Sequence, residues 1–206
     1  MRTKERTFYS VKLAALVALL LGMQAWGEER PSVTSPPESF FQLVPERDRD
    51  AARQFYGKYI DVKGMPVVAH ADVADLALQR TYEIVTHLLA GRPDVLAAMV
   101  TNGMYLIIIG KDQVYTDMPE YRRHPNPAYQ NERVRGTGGK PTSFGEENLL
   151  NLPIDRYDDE SIGVHEFCHT IDGALCSVDP TWNKRRNEVL QYAKDKGRWK
   201  NVYAGG

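Results

Sequence analysis

The chain has 206 residues, of which 42% are hydrophobic, and this is enough for one domain with a single core. Its 26 basic and 27 acidic residues nearly balance. Residues 1–27, which have the pattern of a cleavable export signal, contain four of the basic and one of the acidic residues. Cleavage would leave 22 basic and 26 acidic residues, a charge of about −4. An acidic chain of this kind is a poor partner for nucleic acid.

The N-terminus has the pattern of an export signal. Four basic residues accompany an apolar run from Leu13 to Met23, and Ala25-Trp26-Gly27 offers a small-x-small cleavage site. The run is shorter than the roughly 20 apolar residues that a transmembrane helix needs. We therefore predict a signal peptide at 1–27, a secreted or periplasmic protein, and no stable membrane insertion after cleavage. An uncleaved N-terminal anchor is the alternative.

The next residues divide into a leader and a domain. Glu28–Glu38 is polar and rich in Pro and Ser, so we expect a flexible leader over 28–44. The remainder, 45–206, is predicted to be one domain. It begins with a charged stretch with scattered aromatic residues, which predicts a short helix over 45–59.

Three elements follow with clearer patterns. Apolar residues recur at helical spacing over 71–90, which predicts a helix with one buried face. Gly91-Arg92-Pro93 ends that helix, and Pro93 is well placed in the first turn of a second, short helix that ends near Asn102. The β-favouring run Met104–Ile109 predicts a buried strand.

The last third of the chain contains a long irregular segment and two helices. Lys111–Tyr157 has many Pro and Gly residues and little periodicity, which is typical of a functional loop or of irregular structure. Asp158-Asp159-Glu160-Ser161 supplies cap and first-turn acids for a helix that runs to about Leu175. Pro180 opens a final helix through Lys194.

The predicted helix after residue 160 carries the motif His165-Glu166-Phe167-Cys168-His169. Residues four apart lie one turn apart on one helix face, so His165 and His169 can direct two imidazole nitrogens to one zinc ion. Glu166 projects about 100° from His165, where it can act as the general base on a water molecule. The alternative is a helix with two surface or structural histidines.

Asp172 falls on the same side of this helix as the two histidines. The three residues span about 10 Å along the axis, too far for all of them to reach one ion. We therefore predict that Asp172 orients a histidine through its other ring nitrogen. A solvated acid near the helix end is the alternative.

The string HEFCHTID, from His165 to Asp172, resembles the HEFGHxxD-type active-site helix of the anthrax-lethal-factor-like zincins and, more loosely, the gluzincin class. The stretch Pro141–Leu150, with Asp155-Arg156-Tyr157 after it, looks like segments of uncharacterised secreted HExxH proteins. The resemblance implies an α+β zincin-like catalytic domain with a small mixed sheet, zinc as cofactor, His165 and His169 as ligands, and Glu166 as base. It also implies a strand that lines the substrate cleft, for which Tyr105–Ile109 is the candidate.

The third zinc ligand departs from this pattern. In the lethal-factor-like enzymes it is a Glu on a later helix, which here would lie beyond Gly206 if the domain is C-terminally incomplete. Glu188, 19 residues after His169, is a second candidate at a spacing close to that of thermolysin-like gluzincins. The third possibility is an incomplete and inactive site, because a catalytic zinc needs three protein ligands and a water.

Other motifs are weaker. Gly136-Thr137-Gly138-Gly139-Lys140 has the ending of a phosphate loop but lacks its first Gly and the Ser or Thr after Lys, so we interpret it as a flexible turn. Cys168 and Cys176 would lie about 12 Å apart on one helix, beyond disulfide reach, and we expect Cys168 to be a small buried hydrophobe without a catalytic role. Glu146 and Glu147 can bind substrate or cap a turn.

Together these features predict a secreted hydrolase: a zinc-dependent metalloendopeptidase that cleaves peptide or protein substrates with Glu166 as general base. Two alternatives stay open. One is a catalytically inactive zincin-like binding or scaffold module. The other is a zinc amidase that uses the same site on a non-protein substrate.

Overall fold

The computed structural model describes residues 30–157 and 160–198. The signal peptide expected at 1–27 lies outside these residues. The described residues from Pro31 to Arg198 form one compact unit of α+β type, as predicted. In the described part of the chain, no helix is both long enough and apolar enough to cross a membrane.

A mixed five-stranded sheet organises the described residues. Its strands are β1 (Tyr56–Val62), β2 (Met65–His70), β3 (Leu106–Ile109), β4 (Gly136–Thr137) and β5 (Thr142–Gly145). Their order is β1-β2-β3-β5-β4. The central pairs β2/β3 and β3/β5 are parallel, and the outer pairs β1/β2 and β5/β4 are antiparallel. The short strand β4 therefore lies at one edge of the sheet.

The hairpin β1–β2 corrects the helix expected over 45–59. A 3₁₀ turn at Glu46–Asp48 leads into helix α2 at Arg49–Phe55, but the chain enters β1 at Tyr56. The two-residue turn Lys63-Gly64 has φ values of 52° and 94°, and a tight hairpin turn of this kind needs positive φ at both positions. Glycine provides that conformation at no steric cost.

Eight α-helices are present in the described residues: α1 (Glu38–Phe41), α2 (Arg49–Phe55), α3 (Asp75–Leu88), α4 (Pro93–Thr101), α5 (Pro127–Arg133), α6 (Glu146–Leu149), α7 (Ile162–Val178) and α8 (Trp182–Asp195). The helices predicted from periodicity and from Pro and Gly boundaries correspond to α3, α4, α7 and α8. The flexible leader expected over 28–44 is wrong in its second part. Phe40 and Phe41 in α1 are buried, and Thr34 pairs with Tyr59.

Alternate strand residues face two apolar layers. On one face, residues such as Val67, Leu106 and Ile108 pack with residues of α3, α4 and α7. On the other face, Val68 and Ile107 pack with α1, α2 and the segment after β3. The strand predicted at 104–109 is confirmed as β3, but it is central and buried on both faces. It cannot line a cleft, so that part of the expectation is wrong.

A buried ion pair ties the irregular segment 111–157 to the sheet. The Glu147 carboxylate in α6 accepts two hydrogen bonds from the Arg135 guanidinium, from Nε at 2.5 Å and Nη2 at 2.6 Å. Arg135 also donates to the carbonyls of Gly110 and Gln113. Glu146 accepts from the amides of Ala74 and Lys111, at 2.8 and 2.9 Å. These two acids therefore make structural contacts, and neither caps its own helix.

Removing the charge of Glu147 tests this support. Glu147→Gln leaves the Arg135 charge buried without its counter-ion, so we expect a loss of about 3 kcal/mol in the free energy of unfolding. Urea denaturation measures it. Lys184→Gln is the control, because its ion pair with Glu188 is exposed and 3.9 Å long, and its urea midpoint should not move. Equal midpoints for the two variants would contradict the role given to Glu147.

Candidate metal and catalytic site

Helix α7 begins with a defined cap. The Ser161 hydroxyl accepts from the Val164 amide at 3.4 Å, and the Asn148 side chain accepts from the Ile162 amide at 2.7 Å. The helix buries Phe167 and Leu175 among the apolar residues of α3, α4 and the sheet. This burial fixes the rotation of the helix about its axis. The helix predicted around the histidine motif is confirmed, and its motif lies within the first two turns.

The helical repeat places His165 and His169 side by side, and the rotation of α7 puts both on its outer face. Their Nε2 atoms are 3.2 Å apart, and their rings are inclined by 65°. Two nitrogen ligands of a tetrahedral zinc ion, each at about 2.05 Å, are about 3.3 Å apart. The spacing of the two nitrogens therefore fits two corners of a zinc site. Without metal, the same distance suits an N–H···N hydrogen bond between the rings.

The other nitrogen of His165 has a partner that the sequence did not predict. His165 Nδ1 lies 2.7 Å from Glu160 Oε1. Because a carboxylate only accepts, Nδ1 carries the proton, and Nε2 of the neutral ring is left with its lone pair toward His169. A carboxylate behind a histidine fixes both its tautomer and its ring orientation. This contact therefore leaves Nε2 as the ring nitrogen of His165 that is available to a metal.

Asp172 does not orient a histidine, so that prediction is wrong. Its Oδ1 accepts from the Trp182 indole N–H at 2.6 Å, and its Oδ2 is paired with Arg186. Both partners lie on α8. Helix geometry thus predicted a carboxylate partner for a histidine but placed it at the wrong position. Asp172 joins α7 to α8, and the carboxylate behind His165 comes from the residue before the helix cap.

Glu188 does not complete the metal site. Its side chain is 62% exposed on α8, and its ion-pair partner is Lys184. Within residues 30–157 and 160–198, no three His, Cys, Asp or Glu side chains are close enough to hold one ion. The described residues thus bring two candidate zinc ligands together and lack a third. A ligand expected beyond Gly206 would lie outside them.

Glu166 lies beside the histidine pair, and its Oε2 accepts a hydrogen bond from the Gly138 amide at 2.5 Å. Burial raises the pKa of the nearby Tyr115, and the charge of Glu166 makes a smaller contribution in the same direction. Gly138 belongs to the segment that we interpreted as a flexible turn. No periodicity links it to the motif, so only the fold could reveal this contact.

The two cysteines are free, in agreement with the prediction that they form no disulfide. Cys168 is exposed on α7, so the expectation that it is a buried hydrophobe is wrong. Cys176 donates to the Asn183 side chain at 3.2 Å, which adds a second contact between α7 and α8. Neither thiol has a hydrogen bond to a histidine within the described residues.

Replacing Glu160 or Asp172 by its amide tests which of the two acids supports metal binding. We expect Glu160→Gln to weaken zinc binding by about 10- to 100-fold, because the amide holds the His165 tautomer less firmly than a carboxylate. Asp172→Asn should leave the zinc affinity unchanged, since Asp172 contacts only α8. Competition with a chromogenic chelator measures both affinities. The opposite ranking of the two variants would restore the original assignment of Asp172.

Comparisons with models of known protein families, with curated proteins and with solved structures return no match for this chain. The resemblance of the HEFCHTID string to the zincins thus has no support from a relative and stays a prediction. The function of the site has to be argued from the geometry of its own residues.

Proposed function

We propose that the chain is a secreted zinc-dependent metalloendopeptidase whose site consists of His165, Glu166 and His169. The observation that carries the proposal is the 3.2 Å separation of the two Nε2 atoms, close to that of two ligands on one tetrahedral zinc. A helix with two unrelated surface histidines has no need of this convergence, or of a carboxylate behind one of them. Secretion rests on the signal pattern at 1–27.

The chemistry follows from the residue types. A zinc ion held by the two imidazoles would polarise a substrate carbonyl and make a nearby water more acidic. Glu166 has one oxygen bonded to Gly138, and its other oxygen has no hydrogen-bond partner within the described residues. That free oxygen can accept the proton of the attacking water and deliver it to the leaving amine nitrogen. Glu160 keeps His165 oriented throughout.

The edge strand next to the site favours an extended peptide as substrate. In the described part of the chain, β4 pairs with β5 alone, so one edge of Gly136–Thr137 has no strand neighbour. An extended peptide can add to such an edge through main-chain hydrogen bonds. Gly138, directly after β4, contacts the proposed base, so a peptide bound there would lie close to Glu166.

One observation favours the alternative of an inactive zincin-like binding module. The described residues bring only two metal ligands together, and a catalytic zinc site has three. Such a module would bind zinc weakly, or not at all, and would hydrolyse nothing. A zinc amidase acting on a non-protein substrate would share the site and differ only in what it cleaves.

Replacing the base separates these possibilities. We expect the protein to bind about one zinc and to hydrolyse an unstructured protein such as casein. Glu166→Gln should keep the zinc and lose about 10²- to 10⁴-fold in rate, because an amide cannot accept the proton. Zinc content by atomic absorption and release of labelled casein peptides measure the two effects.

The control is His87→Gln, on α3 outside the proposed site, which should leave both zinc content and rate unchanged. A wild-type protein that holds zinc and cleaves no peptide library would favour the binding module or the amidase. A protein that takes up no zinc would contradict the proposal entirely.

A further inference from the structure

We propose that the glycine-rich segment Gly136–Gly139 is the positioning element of the catalytic carboxylate, with Gly138 as the residue that orients Glu166. This inference rests on the proposed role of Glu166 as general base. It assigns a positioning role to a segment that the sequence alone indicates to be a flexible turn. The Gly138 amide donates to Glu166 Oε2 at 2.5 Å, which is the contact that fixes the carboxylate.

The segment is held at both ends. Arg135, immediately before it, is anchored through its buried pair with Glu147. Gly136 and Thr137 then pair with Phe144 and Ser143 of β5. The donor amide of Gly138 therefore follows backbone that is fixed to the sheet.

On the far side, threonines fix Gly139. Its amide donates to Thr170 Oγ1 at 3.1 Å, and its carbonyl accepts from Thr142 Oγ1 at 2.7 Å. The two hydroxyls are themselves 2.5 Å apart. Thr170 is on α7, one turn after Glu166, so the same helix that carries the base also holds the segment beside it.

The close approach of the segment to α7 requires glycine. A Cβ atom on Gly138 would lie 2.8 Å from the Cβ of His169 and 3.0 Å from the Glu166 carbonyl oxygen. A Cβ on Gly136 would lie 2.6 Å from Ile162 Cγ2. Distances below 3.0 Å force a displacement. Any larger residue at Gly138 would move its amide away from the carboxylate.

The contact leaves Glu166 in a form suited to a base. One carboxylate oxygen is bonded to a rigid backbone donor, which restricts rotation of the side chain and keeps it from swinging onto the metal. The other oxygen is left for water. An error of about 1 Å in the position of such a group can cost about 100-fold in rate.

Amide exchange in the metal-free protein tests the contact without any assay of activity. In protein labelled with ¹⁵N-glycine, Glu166→Ala should speed exchange of the Gly138 amide by about tenfold or more, because a hydrogen bond to a charged acceptor is lost. The adjacent Gly139 amide, which is bonded to Thr170, should be unchanged. Thr170→Val should speed exchange of the Gly139 amide and leave exchange of the Gly138 amide unchanged. If Glu166→Ala speeds both amides equally or neither, the contact is overturned.

The effect on catalysis is tested with Gly138→Ala in the zinc-loaded protein. We expect kcat per bound zinc to fall about 100-fold, with KM retained. The matched control is Gly173→Ala on the exposed side of α7, where a Cβ meets nothing within 4 Å. A raised KM with an unchanged kcat would overturn the positioning role. If wild-type protein cleaves nothing, the proposed function fails, and the exchange experiment still decides the contact.

Discussion

The packing of α7 against the sheet is the constraint on which the rest of the site depends. Burial of Phe167 and Leu175 fixes the rotation of the helix, and the 3.6-residue repeat then places His165 and His169 side by side on the open face. Glu166, between the two faces, is directed to the sheet edge, where Gly138 meets it. A helix rotated about its axis would keep the two histidines adjacent but would move Glu166 away from Gly138.

Polar contacts outside the motif fix α7 and the segment that contacts Glu166. The pair Arg135–Glu147 is almost fully buried, and it fixes the start of the segment that reaches Glu166. Asp172 fixes the other end of α7 to α8. Charges buried as deeply as those of Arg135 and Glu147 are costly and need close partners. The position of the site thus depends on residues well outside the histidine motif.

The sequence predicted what local periodicity can encode. The helices α3, α4, α7 and α8 and the strand β3 follow from apolar spacing and from Pro and Gly boundaries. The strands β4 and β5 were missed because two and four residues carry no readable period. Glu160 and Gly138 were missed as site residues because their contacts cross from a loop to a helix. Asp172 was misassigned because helix geometry predicts the side of the helix on which a side chain lies but not which residues of other elements it contacts.

The central claim is that His165 and His169 together hold a metal through their Nε2 atoms. Zinc K-edge X-ray absorption of the loaded protein tests it most directly. The account predicts two imidazole nitrogens at about 2.0–2.1 Å with the remaining ligands oxygen, and loss of the imidazole signal in the His165→Ala, His169→Ala double variant. A sulfur ligand at about 2.3 Å, as from Cys168, or a spectrum that the double variant does not alter, would contradict it.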